Sequence, residues 1–139
     1  MKTNFDHLER CSLTLERSLQ SLAIAAPDSI EYEVYRNAVI KSFELTLETS
    51  GKLLRKVLKE YVASPKTVDA LVFKDVLRHA ALHSLLTADE LERWLQYRDS
   101  RNDTAHHYGQ QFAEETLRLI TTFQHDTITL HATLKQKHG

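Results

Sequence analysis

The chain has few residues that interrupt helices, with 3 glycines and 2 prolines among 139 residues. Such scarcity leaves few positions where the chain must turn, and it favours long helices over many short strands. The length fits one domain, residues 1–139, because two domains would each bury too little apolar surface to form a core.

Only one cysteine is present, which excludes a disulfide within the chain and a zinc site built from cysteines. Cys11 lies between Leu8 and Leu15, a position that predicts a small buried apolar residue. The sequence also lacks the run of about 18 apolar residues that a membrane span requires, and its first ten residues contain no apolar signal segment. We therefore expect a soluble, cytoplasmic protein.

Neither charge is in excess, since 18 Lys and Arg face 19 Asp and Glu and give a formal net charge of -1. This balance excludes the whole-molecule positive field that drives nonspecific binding to nucleic acids. Any such contact must come from a local cluster of cations.

Apolar residues recur at intervals of three and four and predict five helices, which the simplest packing arranges as an all-α antiparallel bundle. Ser64 before Pro65 is a helix-start signal, and Thr87 with Glu90 forms a capping-box pattern. Gly51 is either tolerated within the second helix or allows another helix to approach closely. The predicted helices cover residues 3–25, about 30–62, 66–86, 87 to about 106, and about 112–134.

The densest group of ionisable and hydrogen-bonding residues is residues 97–109, at the predicted end of the fourth helix. Asn102 and His106 are four apart, so they share a helix face on which the amide can orient the imidazole. Arg101 and His106 are five apart, which separates them by roughly 140° and about 7.5 Å along a helix. This separation predicts that the two side chains flank a ligand.

Arg101 and His106 are chemically sufficient for cleaving RNA. A neutral histidine can accept the 2′-hydroxyl proton, while arginine neutralises charge that develops on the phosphate. Such a site needs no metal, spares DNA because DNA lacks the hydroxyl, and leaves a cyclic phosphate. His107 and Tyr108 are candidates for a second proton donor. By spacing alone, a solvated and capped helix end is the more ordinary interpretation.

The run from Arg101 to Tyr108 resembles the signature of the HEPN family. The shared features are Asn102 directly after the arginine, four residues between Arg101 and His106, and one further residue before a tyrosine. That tyrosine is typical of the HepT toxin branch of the family.

The resemblance extends over roughly residues 5–135. Residues 43–48, followed by residues 52–55, are similar to the second helix of the family, and Trp94 lies upstream of the arginine as expected. Gly51 departs from the pattern, because relatives usually carry a large residue such as Trp there.

The resemblance implies a homodimeric helical toxin of a type II or type VII toxin–antitoxin module, with the HEPN fold and no cofactor or metal. It would cleave cellular RNA such as tRNA or mRNA, with Arg101 and His106 catalytic and Asn102 and His107 supporting. The implied partner is a minimal nucleotidyltransferase antitoxin that transfers AMP to Tyr108. An AMP group there would put negative charge and bulk where the RNA phosphate must bind.

Two other functions fit the same fold. One is a substrate- or nucleotide-binding subunit of a separate nucleotidyltransferase, with no chemistry of its own. The other is a helical adaptor in which the motif is merely structural. The complete combination of Arg101, His106 and Tyr108 favours the ribonuclease, because a pure binding module has no need to keep these residues together.

Residues outside the motif have alternative interpretations. Asp75, His79 and His83 have the helical spacing of metal ligands, but solvated histidines are the ordinary explanation. Trp94 is expected in the core or a dimer interface more than as a platform for stacking bases.

Two groups of basic residues also have alternative interpretations. Arg93, Arg98 and Arg101 are a candidate basic rim for a phosphate backbone, although an ion pair is favoured for Arg93. A basic stripe at helical spacing is either a solvated helix face or a contact with RNA or the antitoxin; its members are Lys52, Arg55, Lys56 and Lys59.

Overall fold

A computed structural model of the chain describes residues 5–106 and 114–139, without the side chains of residues 102–106, 114 and 115. The regular structure of these residues is all-helical, as the sequence predicts. The six helices are α1 (Asp6–Ile24), α2 (Ile30–Leu58), α3 (Pro65–Asp69), α4 (Phe73–Leu82), α5 (Ala88–His106) and α6 (Glu114–His138).

The predicted third helix, residues 66–86, is wrong as a single element, because the structure divides it into α3 and α4. The carbonyl of Val68 accepts hydrogen bonds from Arg55 Nη1 at 3.0 Å and from the Leu71 amide at 3.1 Å. The second bond closes a tight three-residue turn in place of the next α-helical bond, and Val72 is extended. Pro65 starts α3 as predicted, although the Ser64 side chain makes no capping bond.

The second predicted helix is also shorter than expected, since α2 ends at Leu58 and not near residue 62. Its last turn tightens, because the amides of Glu60 and Tyr61 bond to carbonyls only three residues earlier, at 3.0 and 2.9 Å.

The helix α2 is the centre of the fold, because it packs against all five other helices. Cys11 on α1 lies 3.7 Å from Thr49 on α2 and is half-buried, so the prediction of a fully buried apolar cysteine is wrong in degree. Among the described helices, none has the length and apolar character that crossing a membrane requires. Apolar side chains from every helix form the core, including Leu15, Phe43, Leu54, Val68, Leu77, Trp94 and Phe123.

Gly51 of α2 packs against Phe73 of α4. A Cβ atom added at Gly51 would lie 2.3 Å from Cε2 of Phe73 and 2.9 Å from its Cδ2, well inside contact distance. The phenyl ring therefore occupies the space that a larger side chain at position 51 would fill. Of the two interpretations of this glycine, the structure supports close approach.

Candidate functional site

The helix α5 carries the predicted motif and begins at a well-formed cap. The Thr87 amide donates to Glu90 Oε1 at 2.9 Å, and the Glu90 amide donates to Thr87 Oγ1 at 3.1 Å. This reciprocal pair is the capping box that the sequence predicts.

Four aromatic rings anchor the middle of α5 in the core. Phe123 of α6 meets Phe43, Trp94 and Tyr97 edge-on, with ring centroids 4.8, 5.4 and 5.1 Å away. Trp94 and Tyr97 are almost completely buried, which confirms a core position for Trp94. Edge-on pairs of this kind add stabilisation beyond the area they bury, so α5 is rigidly seated here.

Asp126 of α6 ties two α5 side chains together. Arg93 donates from Nε and Nη2 to its two carboxylate oxygens, at 2.8 and 3.0 Å, and the Tyr97 hydroxyl donates to Oδ2. The Asp126 side chain is only 9% exposed, so the carboxylate is shielded from water, whereas the Arg93 side chain is 40% exposed. The favoured interpretation of Arg93, an ion pair and not part of a phosphate rim, is confirmed.

These contacts also fix the ionisation of the bridge. Burial and the hydrogen bond to Asp126 raise the pKa of Tyr97 above its usual value, and the hydrogen bond to Asp126 raises the pKa of Arg93. Tyr97 therefore stays a neutral donor and Arg93 a cation.

Arg101 is half-buried and lies four residues beyond Tyr97, on the same face of α5. The aromatic cluster and the Asp126 bridge thus hold the helix one turn before this arginine.

Arg98 and Asp99 show how the neighbouring charges are used. The Arg98 guanidinium lies 5.8 Å from the ring centroid of Phe73, and Asp99 pairs with Lys74 at 2.8 Å. Both residues therefore link the end of α5 to α4.

The remaining residues of the motif are described only in part. His106 belongs to α5, which reaches the residue where the sequence predicts its end, but the side chains of Asn102 and His106 lie outside the described ones. His107 and Tyr108 lie outside the described residues altogether. On the continuous helix, Arg101 and His106 are separated by about 7.5 Å along the axis.

The candidate metal ligands Asp75, His79 and His83 make other contacts. Asp75 pairs with Arg78 at 2.8 Å, the His83 ring packs 4.8 Å from that of Tyr61, and His79 lines an apolar cavity of about 200 Å³. Within residues 5–106 and 114–139, no group of three or more potential ligands is placed to hold a metal ion.

Asp126 is absent from the predicted site residues, although the sequence carries a signal for it. Asp126 lies three residues after Phe123 and four before Leu130, so helical periodicity places it on the buried face of α6. A carboxylate on a buried face needs hydrogen-bond partners. Its partners here, Tyr97 and Arg93, lie 29 and 33 residues away in the sequence.

Comparison with known proteins agrees with this architecture. Over 141 aligned residues the chain is 27% identical to "Probable ribonuclease HepT" of Haemophilus influenzae, covering 99% of this chain and 95% of that protein. A solved structure from the same organism, described as revealing the fold of a substrate binding domain of a nucleotidyltransferase, matches with a TM-score of 0.81 and 26% identity. The match covers 95% of this chain and 99% of the other.

The predicted relationship to HepT-like proteins is confirmed by a match over nearly the whole sequence. Residues 3–136 match the sequence profile of the family described as "Nucleotidyltransferase substrate binding protein like". With an all-helical architecture shared over 95% of its length with a solved relative, the chain belongs to this nucleotidyltransferase substrate-binding family.

Proposed function

We propose that the protein is a metal-independent ribonuclease and the toxin of a toxin–antitoxin module. The observation that carries the proposal is the likeness, over almost the full length of both chains, to a protein named as a probable ribonuclease. The rigid seat of α5 supports it, because Arg101 projects one turn beyond a buried aromatic cluster and an ion-pair bridge.

In this mechanism His106 accepts the proton of the RNA 2′-hydroxyl, and the freed oxygen attacks the adjacent phosphorus. The bond to the 5′-oxygen breaks, that oxygen takes up a proton, and a 2′,3′-cyclic phosphate remains. Arg101 stabilises the charge that develops on the phosphate, while Asn102 orients the imidazole ring. His107 is a supporting residue and a candidate donor of that proton.

The partner in this proposal is a nucleotidyltransferase antitoxin. The description of the family supports an association with such an enzyme. Transfer of AMP to Tyr108 would place a phosphodiester two residues from His106 and repel the RNA phosphate. The active form would be a homodimer in which two Arg101 and His106 pairs share one cleft.

A second function is favoured by the names of the family and of the solved relative, both of which refer to substrate binding. Here the chain is a non-catalytic subunit that binds a substrate or nucleotide for a partner nucleotidyltransferase. This function predicts nucleotide binding without RNA cleavage, and retention of that binding after His106→Ala.

The test is cleavage of total RNA in excess EDTA by protein that intact mass shows to be free of AMP. His106→Ala is expected to lose about 10²- to 10⁴-fold in rate, the usual contribution of general acid–base catalysis. Arg101→Ala is expected to lose about 10²- to 10³-fold, as for other groups that stabilise developing negative charge. His125→Ala and Arg17→Ala are matched controls, since both residues are exposed on other helices.

Wild-type cleavage that both motif variants lose, and both controls keep, would support the ribonuclease. An unmodified wild-type protein that is inactive on varied RNAs, yet binds a nucleotide, would instead support the substrate-binding subunit.

A further inference from the structure

A groove of about 360 Å³ lies between the start of α1, the second half of α2, and α3. Three cations of α2 and Lys59, which caps its end, line it, and the ionisable residues beside them are His7 and Asp69. The cations are those of the predicted basic stripe: Lys52, Arg55, Lys56 and Lys59. The structure thus turns a stripe on one helix into one side of a concave surface.

The groove concentrates positive charge in a protein whose net charge is only -1. Lys59 pairs with Asp69 at 2.9 Å, and Lys52 pairs with Glu48 at 3.3 Å, but the Lys52 side chain is 73% exposed. Exposed pairs of this kind are weak and exchange readily for other anions. Lys56 is also exposed, so two of the four cations are accessible to a ligand.

The wall opposite the lysines is held in place by a specific contact. Arg55 is half-buried and donates to the Val68 carbonyl at 3.0 Å, which fastens α3 to α2. The Val68 side chain is itself buried in the core. The groove is therefore a built feature of the fold, because its two walls are joined by side chains and not only by the chain connection.

Phe73 of α4 connects the α2 segment beside this groove to α5. Lys52 directly follows Gly51, the ring of Phe73 packs on Gly51, and the Arg98 guanidinium lies over that ring. Arg98 precedes Arg101 by three residues, which places the two on neighbouring positions of one helix face.

We infer that this groove binds the phosphate backbone of the RNA substrate and guides the strand toward Arg101. Lys52, Lys56 and Lys59 advance by four and three residues, so their ammonium groups follow one face of α2 over about 10.5 Å. Lysine is depleted at protein interfaces, where aromatic and arginine anchors dominate, whereas it suits contacts with phosphates. The groove would hold RNA without regard to base sequence, because phosphate contacts carry no sequence information directly.

This inference rests on the proposed ribonuclease function, and its test measures binding and cleavage separately. The probe is a fluorescent, single-stranded 2′-O-methyl oligonucleotide of mixed sequence, which lacks the attacking hydroxyl. Its dissociation constant is measured across a salt series for the wild-type chain and for Lys52→Gln/Lys56→Gln. The double variant Lys41→Gln/Lys135→Gln is the matched control, since both residues are exposed lysines outside the groove and the change in net charge is identical.

Each phosphate contact with a single strand contributes about 0.7 to the slope of log affinity against log salt, so the groove variant is expected to lose about 1.4. Between roughly 50 and 200 mM salt, its affinity should then fall about sevenfold less than that of the wild type. The control should keep the wild-type slope. Circular dichroism of each variant establishes that the helices are retained.

A wild-type slope in the groove variant would overturn the inference, as would failure of the wild type to bind the probe. If the wild type still cleaves RNA in EDTA, only the groove assignment fails; if it neither binds nor cleaves, the ribonuclease proposal fails too. Retained RNA binding, with loss of binding to a nucleotidyltransferase partner, would overturn the inference in favour of a protein interface. A changed slope without cleavage would leave an RNA-binding groove on a protein that is not a ribonuclease.

Discussion

Replacing Gly51 with alanine tests the contact between α2 and α4 directly. Alanine favours a helix interior by about 1 kcal/mol over glycine, so the change would stabilise an isolated helix. In this protein the new Cβ would lie 2.3 Å from Phe73 Cε2, and the ring must move. Overpacking of this kind costs about 1–3 kcal/mol, so the free energy of unfolding should stay level or fall by up to about 2 kcal/mol.

The sign of the effect should reverse once the ring is removed. In a Phe73→Ala background the space is open, and Gly51→Ala should then raise the free energy of unfolding by about 1 kcal/mol. The four proteins form a double-mutant cycle whose coupling energy should be about 1–3 kcal/mol.

Urea unfolding, followed by circular dichroism at one fixed protein concentration, measures all four values. If Gly51→Ala stabilised both backgrounds equally, by about 1 kcal/mol, the coupling would be absent and the reasoning from close packing would be refuted.

Further predictions concern the Asp126 bridge and the helix caps. Tyr97→Phe should lower the free energy of unfolding by about 1.5–3 kcal/mol, the usual contribution of a hydrogen bond to a charged group, as measured in urea. Since the pKa of Tyr97 is raised on folding, its stabilisation is complete below the unfolded pKa of about 10 and is lost as pH rises above it. Wild-type stability should fall more steeply than that of Tyr97→Phe above about pH 10; parallel profiles would contradict this. Thr87→Ala should cost about 1 kcal/mol through the lost bond to the Glu90 amide, whereas Ser64→Ala, at a cap without a side-chain bond, should change stability by less than about 0.5 kcal/mol. Equal thermal shifts for the two alanine variants would argue against the capping assignment.

The sequence predicts those parts of the fold that depend on residues close together in the chain. The capping box at Thr87 and Glu90 is visible three residues apart, and helical periodicity places Trp94 in the core. The division between α3 and α4 is not visible in this way, because it depends on Arg55 binding a carbonyl 13 residues away. A long-range contact of this kind leaves no local pattern.

The candidate site shows the same contrast. Arg101 and His106 are recognisable from their spacing and from the family signature, because both lie within one short segment of the sequence. The contacts that hold α5 in place are not recognisable in the sequence, since Asp126 meets Tyr97 and Arg93 only after α5 and α6 have packed. The groove is only partly predictable from the sequence. Its cations are evident in the sequence of α2, but its concave shape depends on α1 and α3.

The bridge at Asp126 also bears on how such a protein can change during evolution. Side chains in the middle of α5 and α6 fix the alignment of these helices, so Arg93, Tyr97 and Asp126 constrain one another. A substitution at one of these positions is expected to be tolerated only together with a change at another. Relatives should therefore vary at these positions in concert, while other positions on the two helices vary independently.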